Sequence, residues 1–290
     1  MPDLVNSASF HKELRDQLKC VPIRAMKAVS GGSINQCFQI SLQDESRLFL
    51  KWNRSVSKDF FRAEVQGLKA LSRASNYHVP ELILQGSYKD GHYLVLEYLE
   101  ADGIQNDRLL AKALSELHSF TNQHFGWAES NYIGSLSQKN NWDSSWPEFF
   151  AKCRIIPLVE RAYNNGLLTK TDLKSAEAFL KFYPDLIPSE KPSLLHGDLW
   201  SGNVLFKSKA KPILIDPAVY YGHREMDLAM MHLFGGFGSS VYKLYQESLP
   251  LEPGWENRIK YHQLYPLLVH LILFGGAYKS QCESIWKEFA

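Results

Sequence analysis

The chain has 290 residues, 45% of them hydrophobic and 22% charged, with 32 Lys+Arg against 31 Asp+Glu. Such a composition belongs to a soluble globular protein and excludes global disorder, a collagen-like repeat and a coiled coil. The net charge of +1 argues against nonspecific binding to nucleic acid or to an anionic membrane.

In chain order, Met1 to Leu18 carries no apolar run followed by a small-residue cleavage site, so no signal peptide is expected. Arg24 to Val29 and Gln36 to Leu42 read as two strands joined through Ser30-Gly31-Gly32-Ser33, and Arg47 to Trp52 as a third. Ser57 to Ala74 is predicted helical, because Phe61, Glu64, Leu68 and Leu71 fall at i, i+3, i+7 and i+10. Glu81 to Gly86 and His92 to Tyr98 read as two further strands across a Tyr-Lys-Asp-Gly turn. Five strands and one helix predict a small antiparallel α+β lobe over residues 1–98.

Beyond Glu100-Ala101-Asp102-Gly103 the pattern turns helical, which predicts a second, larger lobe over residues 99–290. Helices are expected over Asn106 to Phe120, Ser145 to Asn164 and Thr169 to Phe182, with a loop carrying Gly126, Gly134, Asn140 and Asn141 after the first. Pro184, Pro188 and Pro192 break the third pattern. Two short strands follow, Val204 to Phe206 and Pro212 to Ile215, and mostly helix from Arg224 onward, with turns at Gly235-Gly236 and Pro253-Gly254. The longest apolar stretch, Leu267 to Phe274, is too short to span a bilayer. Cys20, Cys37, Cys153 and Cys282 lack metal-ligand spacing and are too sparse for a disulfide framework. A soluble, cytoplasmic protein in a reducing compartment is therefore expected.

The most informative segment is Leu194-Leu195-His196-Gly197-Asp198-Leu199-Trp200-Ser201-Gly202-Asn203-Val204-Leu205, followed by Ile213-Leu214-Ile215-Asp216-Pro217. An Asp, an Asn five positions on, and a second Asp at the end of an apolar strand are what phosphoryl transfer requires. One carboxylate sits at the acceptor hydroxyl, and two oxygen ligands hold Mg²⁺ at the triphosphate. Taken alone, the motif could be a Gly/Asn/Asp-rich turn between strands. Three upstream features bear on the choice. Gly31, Gly32 and Ser33 sit where a loop could cover phosphates, although an ordinary hairpin turn explains them too. Lys51 lies on the third strand, where a solvated lysine is the usual reading. Glu64 lies on the apolar face of the following helix, and a carboxylate there is costly unless paired. Lys51 is its obvious partner.

These residues together resemble the fructosamine kinase (ketosamine-3-kinase) family, relatives of the aminoglycoside and choline kinases. The carriers of the resemblance are His196-Gly197-Asp198-Leu199-Trp200-Ser201-Gly202-Asn203 and Asp216-Pro217-Ala218. Tyr221-Gly222-His223 and Phe234-Gly235-Gly236-Phe237 lie beyond them, and the likeness runs from about Ile23 to about Tyr278. It implies a bilobal α+β fold of the protein-kinase-like kind. It implies Asp198 as catalytic base and Asn203 and Asp216 as Mg²⁺ ligands. Lys51, held by Glu64, becomes the α/β-phosphate ligand, with Gly31, Gly32 and Ser33 as the covering loop. The backbone of Glu97, Tyr98 and Leu99 becomes the hinge that reads adenine. The implied cofactors are ATP and Mg²⁺. The implied reaction phosphorylates the 3-hydroxyl of a small-molecule or protein-linked ketosamine, whose unstable 3-phosphate then releases the free amine as a repair step.

Ser33 stands where some relatives carry a cysteine able to form a redox-sensitive intersubunit disulfide, so no such control is expected here. Cys37, in the second strand, reads as a small core residue. Only about seven residues separate Asp216 from the helix near Arg224, too few for a peptide-docking loop. Trp200 is either a packing residue or a cation–π support for the substrate amine. His223 either reaches a sugar hydroxyl or caps the Arg224 helix. Asp227 is expected to hold the catalytic loop, and His118 and His232 to be satisfied core histidines. Trp142, Trp146, Phe149 and Phe150 read as core. Two other functions share the pattern: a kinase of the same fold acting on an aminoglycoside or amino alcohol, and a nucleotide-binding pseudokinase. Neither nucleic acid nor membrane is expected as a partner, and the sequence is silent on oligomeric state.

Overall fold

The structure is a computed structural model that describes residues 4–5, 7–18, 21–29, 34–74, 77–101, 103–207 and 211–289. The expected phosphate-covering loop, Gly31, Gly32 and Ser33, lies outside these residues.

The first lobe is a five-stranded antiparallel sheet built from β1 (Ile23–Val29), β2 (Gln36–Leu42), β3 (Arg47–Asn53), β4 (Leu82–Tyr88) and β5 (Gly91–Glu97), in the order β1-β2-β3-β5-β4. Period-2 alternation sends Phe38 and Ile40, Leu50 and Trp52, and Tyr93 and Val95 to one face, where they are buried together. Burying one such side chain is worth roughly 1.5–3 kcal/mol. The same alternation turns Lys51 and its cross-strand neighbours Cys37 and Leu94 to the other face. Helix α1 (Ala8–Leu18), which the sequence pattern did not reveal, covers the apolar face with only Phe10 and Leu14 buried. Helix α2 (Asp59–Ala74) covers the opposite face with Phe60, Phe61, Val65 and Leu68, while Leu71 packs into a core of the second lobe.

The second lobe opens with α3 (Asp107–His118), whose first turn is capped by the Asn106 side chain accepting from Leu109 N. The following segment, read as loop, contains a hairpin of β6 (Asn131–Ile133) and β7 (Leu136–Gln138). The single helix expected over Ser145 to Asn164 is split into α4 (Trp146–Phe149), a π-helical turn (Phe150–Ile155) and α5 (Ile156–Asn164). Pro157 has no N–H to donate, and the wider turn absorbs the missing bond. Helix α6 (Lys170–Leu186) runs through Pro184, which was expected to stop it. Tyr183, fully buried and hydrogen-bonded to Trp146 and His262, anchors that last turn.

Four short strands then carry the loops of the cleft. β8 (Ser193–Leu195) pairs with β11 (Tyr220–Gly222), and β9 (Val204–Leu205) with β10 (Ile213–Leu214). Helices α7 (Glu225–Phe234), α8 (Ser239–Ser248), α9 (Trp255–Phe274) and α10 (Tyr278–Trp286) complete the lobe. His118 is buried as expected. His232 is exposed instead, its ring 4.1 Å from that of Tyr242, because it ends the buried stripe of α7. Trp146, Phe149 and Phe150 are core, but Trp142 is 49% exposed. Among the described residues, no helix is long and apolar enough to cross a membrane.

Candidate active site

The lobes meet at a cleft of about 950 Å³, lined by Lys51, Glu64, Asp198, Asn203 and Asp216 among others. Lys51 is 3% exposed, and its Nζ donates to Glu64 Oε1 at 2.6 Å and to the Asp216 carboxylate. Burial alone would push the ammonium pKa down. The Asp216 and Glu64 charges outweigh it and hold the group above its ordinary value, so Lys51 stays charged.

The catalytic loop is held by one buried carboxylate. Asp227, 1% exposed on α7, accepts from His196 N at 2.7 Å and from Gly197 N at 2.9 Å. The same carboxylate meets His118 Nε2 at 3.2 Å. Gly197 has φ of 81°, and a Cβ there would lie 2.1 Å from the Ala218 carbonyl oxygen, so only glycine fits. His196 ties this loop to the strand end that carries Asp216. Its Nδ1 accepts from Asp198 N at 3.3 Å and its Nε2 faces Ile215 O at 3.0 Å. Accepting at Nδ1 leaves the proton on Nε2, which donates to that carbonyl. Burial lowers the imidazole pKa, consistent with a neutral ring. Ala218 N donates back to His196 O at 2.9 Å.

Asp198 stands at the centre. Asn203 Nδ2 donates to its carbonyl at 2.8 Å and to its Oδ2 at 3.1 Å. Burial pushes the Asp198 carboxyl up to about 7, with the Asp216 charge adding to the push and the Asn203 bond opposing it. Asp216 has φ of 56°, a left-handed backbone that non-glycine residues seldom adopt. Trp200 is 40% exposed at the cleft, its ring folded over Gly202, where a Cβ would lie 2.2 Å away. Glu97, Tyr98 and Leu99 line the same cleft at the end of β5.

His223 does not reach the cleft. It is fully buried, its Nδ1 accepts from Glu225 N at 3.3 Å, and its Nε2 faces Pro188 O at 3.3 Å. The ring thus lies at the start of α7, away from the residues that line the cleft. Residues that sequence reasoning missed also line the cleft: Tyr132, Ile133 and Gly134 from the hairpin, and His270, Phe274 and Tyr278 from α9 and α10. No periodic face marks them, since α9 carries most of its polar residues in its first half and shows no single apolar stripe, and β6 is three residues long.

Comparison with known proteins agrees with this geometry. The fructosamine kinase family model matches residues 7–289. A probable ketoamine kinase of Enterococcus faecium is 41% identical over 266 residues, covering 90% of this chain and 94% of that one. The chloroplastic protein-ribulosamine 3-kinase of Arabidopsis thaliana is 32% identical over 278 residues, covering 93% and 84%. A crystal structure of a candidate fructosamine-3-kinase from Thermobifida fusca superposes with a TM-score of 0.86 at 33% identity, covering 97% and 98%. A macrolide 2'-phosphotransferase shares the fold at a TM-score of 0.63 and 14% identity. The chain belongs to the fructosamine kinase family, with a protein-kinase-like fold.

Proposed function

We propose that this kinase transfers the γ-phosphoryl group of ATP to the 3-hydroxyl of a ketosamine. The observation that carries the reading is the convergence of Lys51, Glu64, Asp198, Asn203 and Asp216 in one cleft of a fructosamine kinase family member. Lys51 offers its ammonium to the α/β-phosphates, with Glu64 fixing its direction. The backbone of Glu97 to Leu99 would read adenine, and Gly31, Gly32 and Ser33 would cover the phosphates.

The donor set fits Mg²⁺, a hard cation that takes oxygen ligands. Asp216 supplies a carboxylate, 38% exposed at its side chain. Asn203 turns its nitrogen to Asp198, so its amide oxygen is the remaining ligand atom. These two residues would hold the ion, which when bound neutralises charge on the triphosphate. Asp198 orients the acceptor hydroxyl and takes its proton as the oxygen bonds to phosphorus and the bond to ADP breaks. A carboxyl raised to about 7 suits that role at neutral pH.

The acceptor side favours a small or flexible substrate. Residues Tyr220–Gly222 pair with β8, and α7 begins at Glu225. That leaves no span after Asp216 to hold a peptide. Trp200 offers an aromatic surface to a cationic amine. The test is ADP release from purified protein with fructosamine, ribulosamine and erythrulosamine forms, choline and an aminoglycoside as acceptors. Turnover with a ketosamine alone is expected. Turnover with choline or the aminoglycoside and no ketosamine would overturn the substrate class.

A further inference from the structure

The β6–β7 hairpin belongs to the second lobe yet touches the helix of the first that carries Glu64. Tyr132 packs its ring on Phe60 of α2, with centroids 4.9 Å apart, and its hydroxyl lies 2.8 Å from Ser57 Oγ just before that helix. Glu129 pairs with Arg62 of α2 at 2.7 Å. Phe60, Arg62 and Glu64 thus lie within one turn and a half of α2; the hairpin holds Phe60, and Glu129, two residues before it, holds Arg62. From its other side the hairpin holds the segment that follows Asp216. Asn131 Nδ2 donates to Val219 O at 2.8 Å and Gln138 Nε2 to Ala218 O at 3.1 Å. Both side chains are buried and bonded to one another at 2.7 Å. The turn is pinned as well. Gly134 has φ of 56°, and a Cβ there would lie 2.8 Å from Leu273 Cδ1 on α9.

One short hairpin therefore contacts the helix that bears Glu64 and the segment that directly follows Asp216, and these two carboxylates are the partners of Lys51. We propose that the β6–β7 hairpin is a built-in clamp, in which Tyr132 is a positioning residue that holds α2 so that Glu64 stays on Lys51. The clamp acts through Glu64 and rests on the reading of Lys51 as the phosphate ligand. It supplies from within the chain what a swinging helix would otherwise need from a modification or a partner.

The test compares Tyr132→Ala, Tyr132→Phe and Glu64→Gln, and adds Tyr132→Ala to the Glu64→Gln protein. The readouts are KM for Mg·ATP, kcat and thermal unfolding. Tyr132→Ala should raise KM for Mg·ATP by about 5–30-fold, the scale of one aromatic pair with one hydrogen bond. Tyr132→Phe, which keeps the ring, should recover most of that. In the Glu64→Gln background, Tyr132→Ala should raise KM no further, because its effect passes through Glu64. A second series needs no buried change. Arg62→Glu and Glu129→Arg alter exposed side chains, and each alone should raise KM by about 2–5-fold, with the double exchange restoring it. Wild-type KM in Tyr132→Ala overturns the clamp. So does full additivity with Glu64→Gln, or a fall in melting temperature with KM unchanged. If Glu64→Gln itself leaves KM at the wild-type value, the nucleotide-site reading fails first and takes the clamp with it.

Discussion

Asp227→Asn tests how the catalytic loop is held. The substitution keeps the size of the side chain and removes one acceptor oxygen and the charge. In the native protein Oδ2 accepts from His196 N at 2.7 Å and Oδ1 from Gly197 N at 2.9 Å, at a site 1% exposed. An asparagine can satisfy one of these N–H groups with its oxygen. Its NH₂ then faces the other, donor against donor. A hydrogen bond to a charged group contributes roughly 1.5–3 kcal/mol, and an orphaned buried N–H costs about 1–3 kcal/mol. The expected loss is therefore about 2–4 kcal/mol. For a unit of this lobe's size that is a fall in melting temperature on the order of 5–15 °C. The loop also carries Asp198, so kcat should fall at temperatures where the variant is still folded. Thermal unfolding and initial rates of ADP release on one preparation measure both effects. A shift under about 2 °C with wild-type kcat would show that the loop is held by its other contacts and refute the argument.

The other predictions concern chemistry and pH. Asp198→Asn should abolish transfer while Mg·ATP binding, followed by calorimetry, stays near wild type. Asp216→Ala should weaken that binding, and the reverse pattern would interchange the two roles. Trp200→Ala should lower kcat/KM for a ketosamine by about 2–30-fold, from a cation–π energy of roughly 0.5–2 kcal/mol. ATP affinity should be unmoved, and a large fall in melting temperature instead would make Trp200 a packing residue. Burial, with His262 beside it, holds His223 near 4, below the ordinary 6.5. The unfolded chain then binds the extra proton between pH 6.5 and 4, so stability must fall as pH drops through that window, by about 3 kcal/mol in all. Against the upward push of burial, hydrogen bonds from His262 and Arg258 hold Glu225 down at about 2. Its contribution is present above about pH 4.5 and is lost below it. Urea unfolding at pH 7, 5.5 and 4.5 checks this, and a flat profile would contradict a buried, neutral His223.

Residues that a local pattern constrains were legible in the sequence. β3 is a run of large apolar residues broken only by Lys51 between Leu50 and Trp52, which marked the lysine out. Glu64 stood out because a carboxylate interrupts the buried stripe of α2. Asp227 was assigned to the catalytic loop, and its carboxylate does grip the His196 and Gly197 amides. Features decided by distant contacts were not legible. α1 buries only Phe10 and Leu14, too few to make a stripe. The three-residue strands β6 and β7 show no alternation to count and are fixed by Asn131 and Gln138 reaching residues 218 and 219. The sequence left His223 between reaching a sugar hydroxyl and capping the Arg224 helix, and only the fold shows the chain past β11 turning it inward to Glu225 and Pro188. His270 and Phe274 reach the cleft because α9 passes beneath it, which no local signal announces.

The ion pair between Lys51 and Asp216 joins residues 165 positions apart, and this has a consequence for biosynthesis. When the ribosome has finished β5, about 120 residues remain before Asp216 is made, on the order of ten seconds at typical elongation rates. Throughout that interval the nascent sheet holds a lysine destined for burial, with only Glu64 of its two carboxylates yet synthesised. Glu64 on α2 already supplies that ammonium with a counter-charge, so the sheet can close onto α2 before Asp216 exists. The first lobe should therefore close around the Lys51–Glu64 pair while the rest of the chain is still being made, and the Asp216 contact is added only when the second lobe docks.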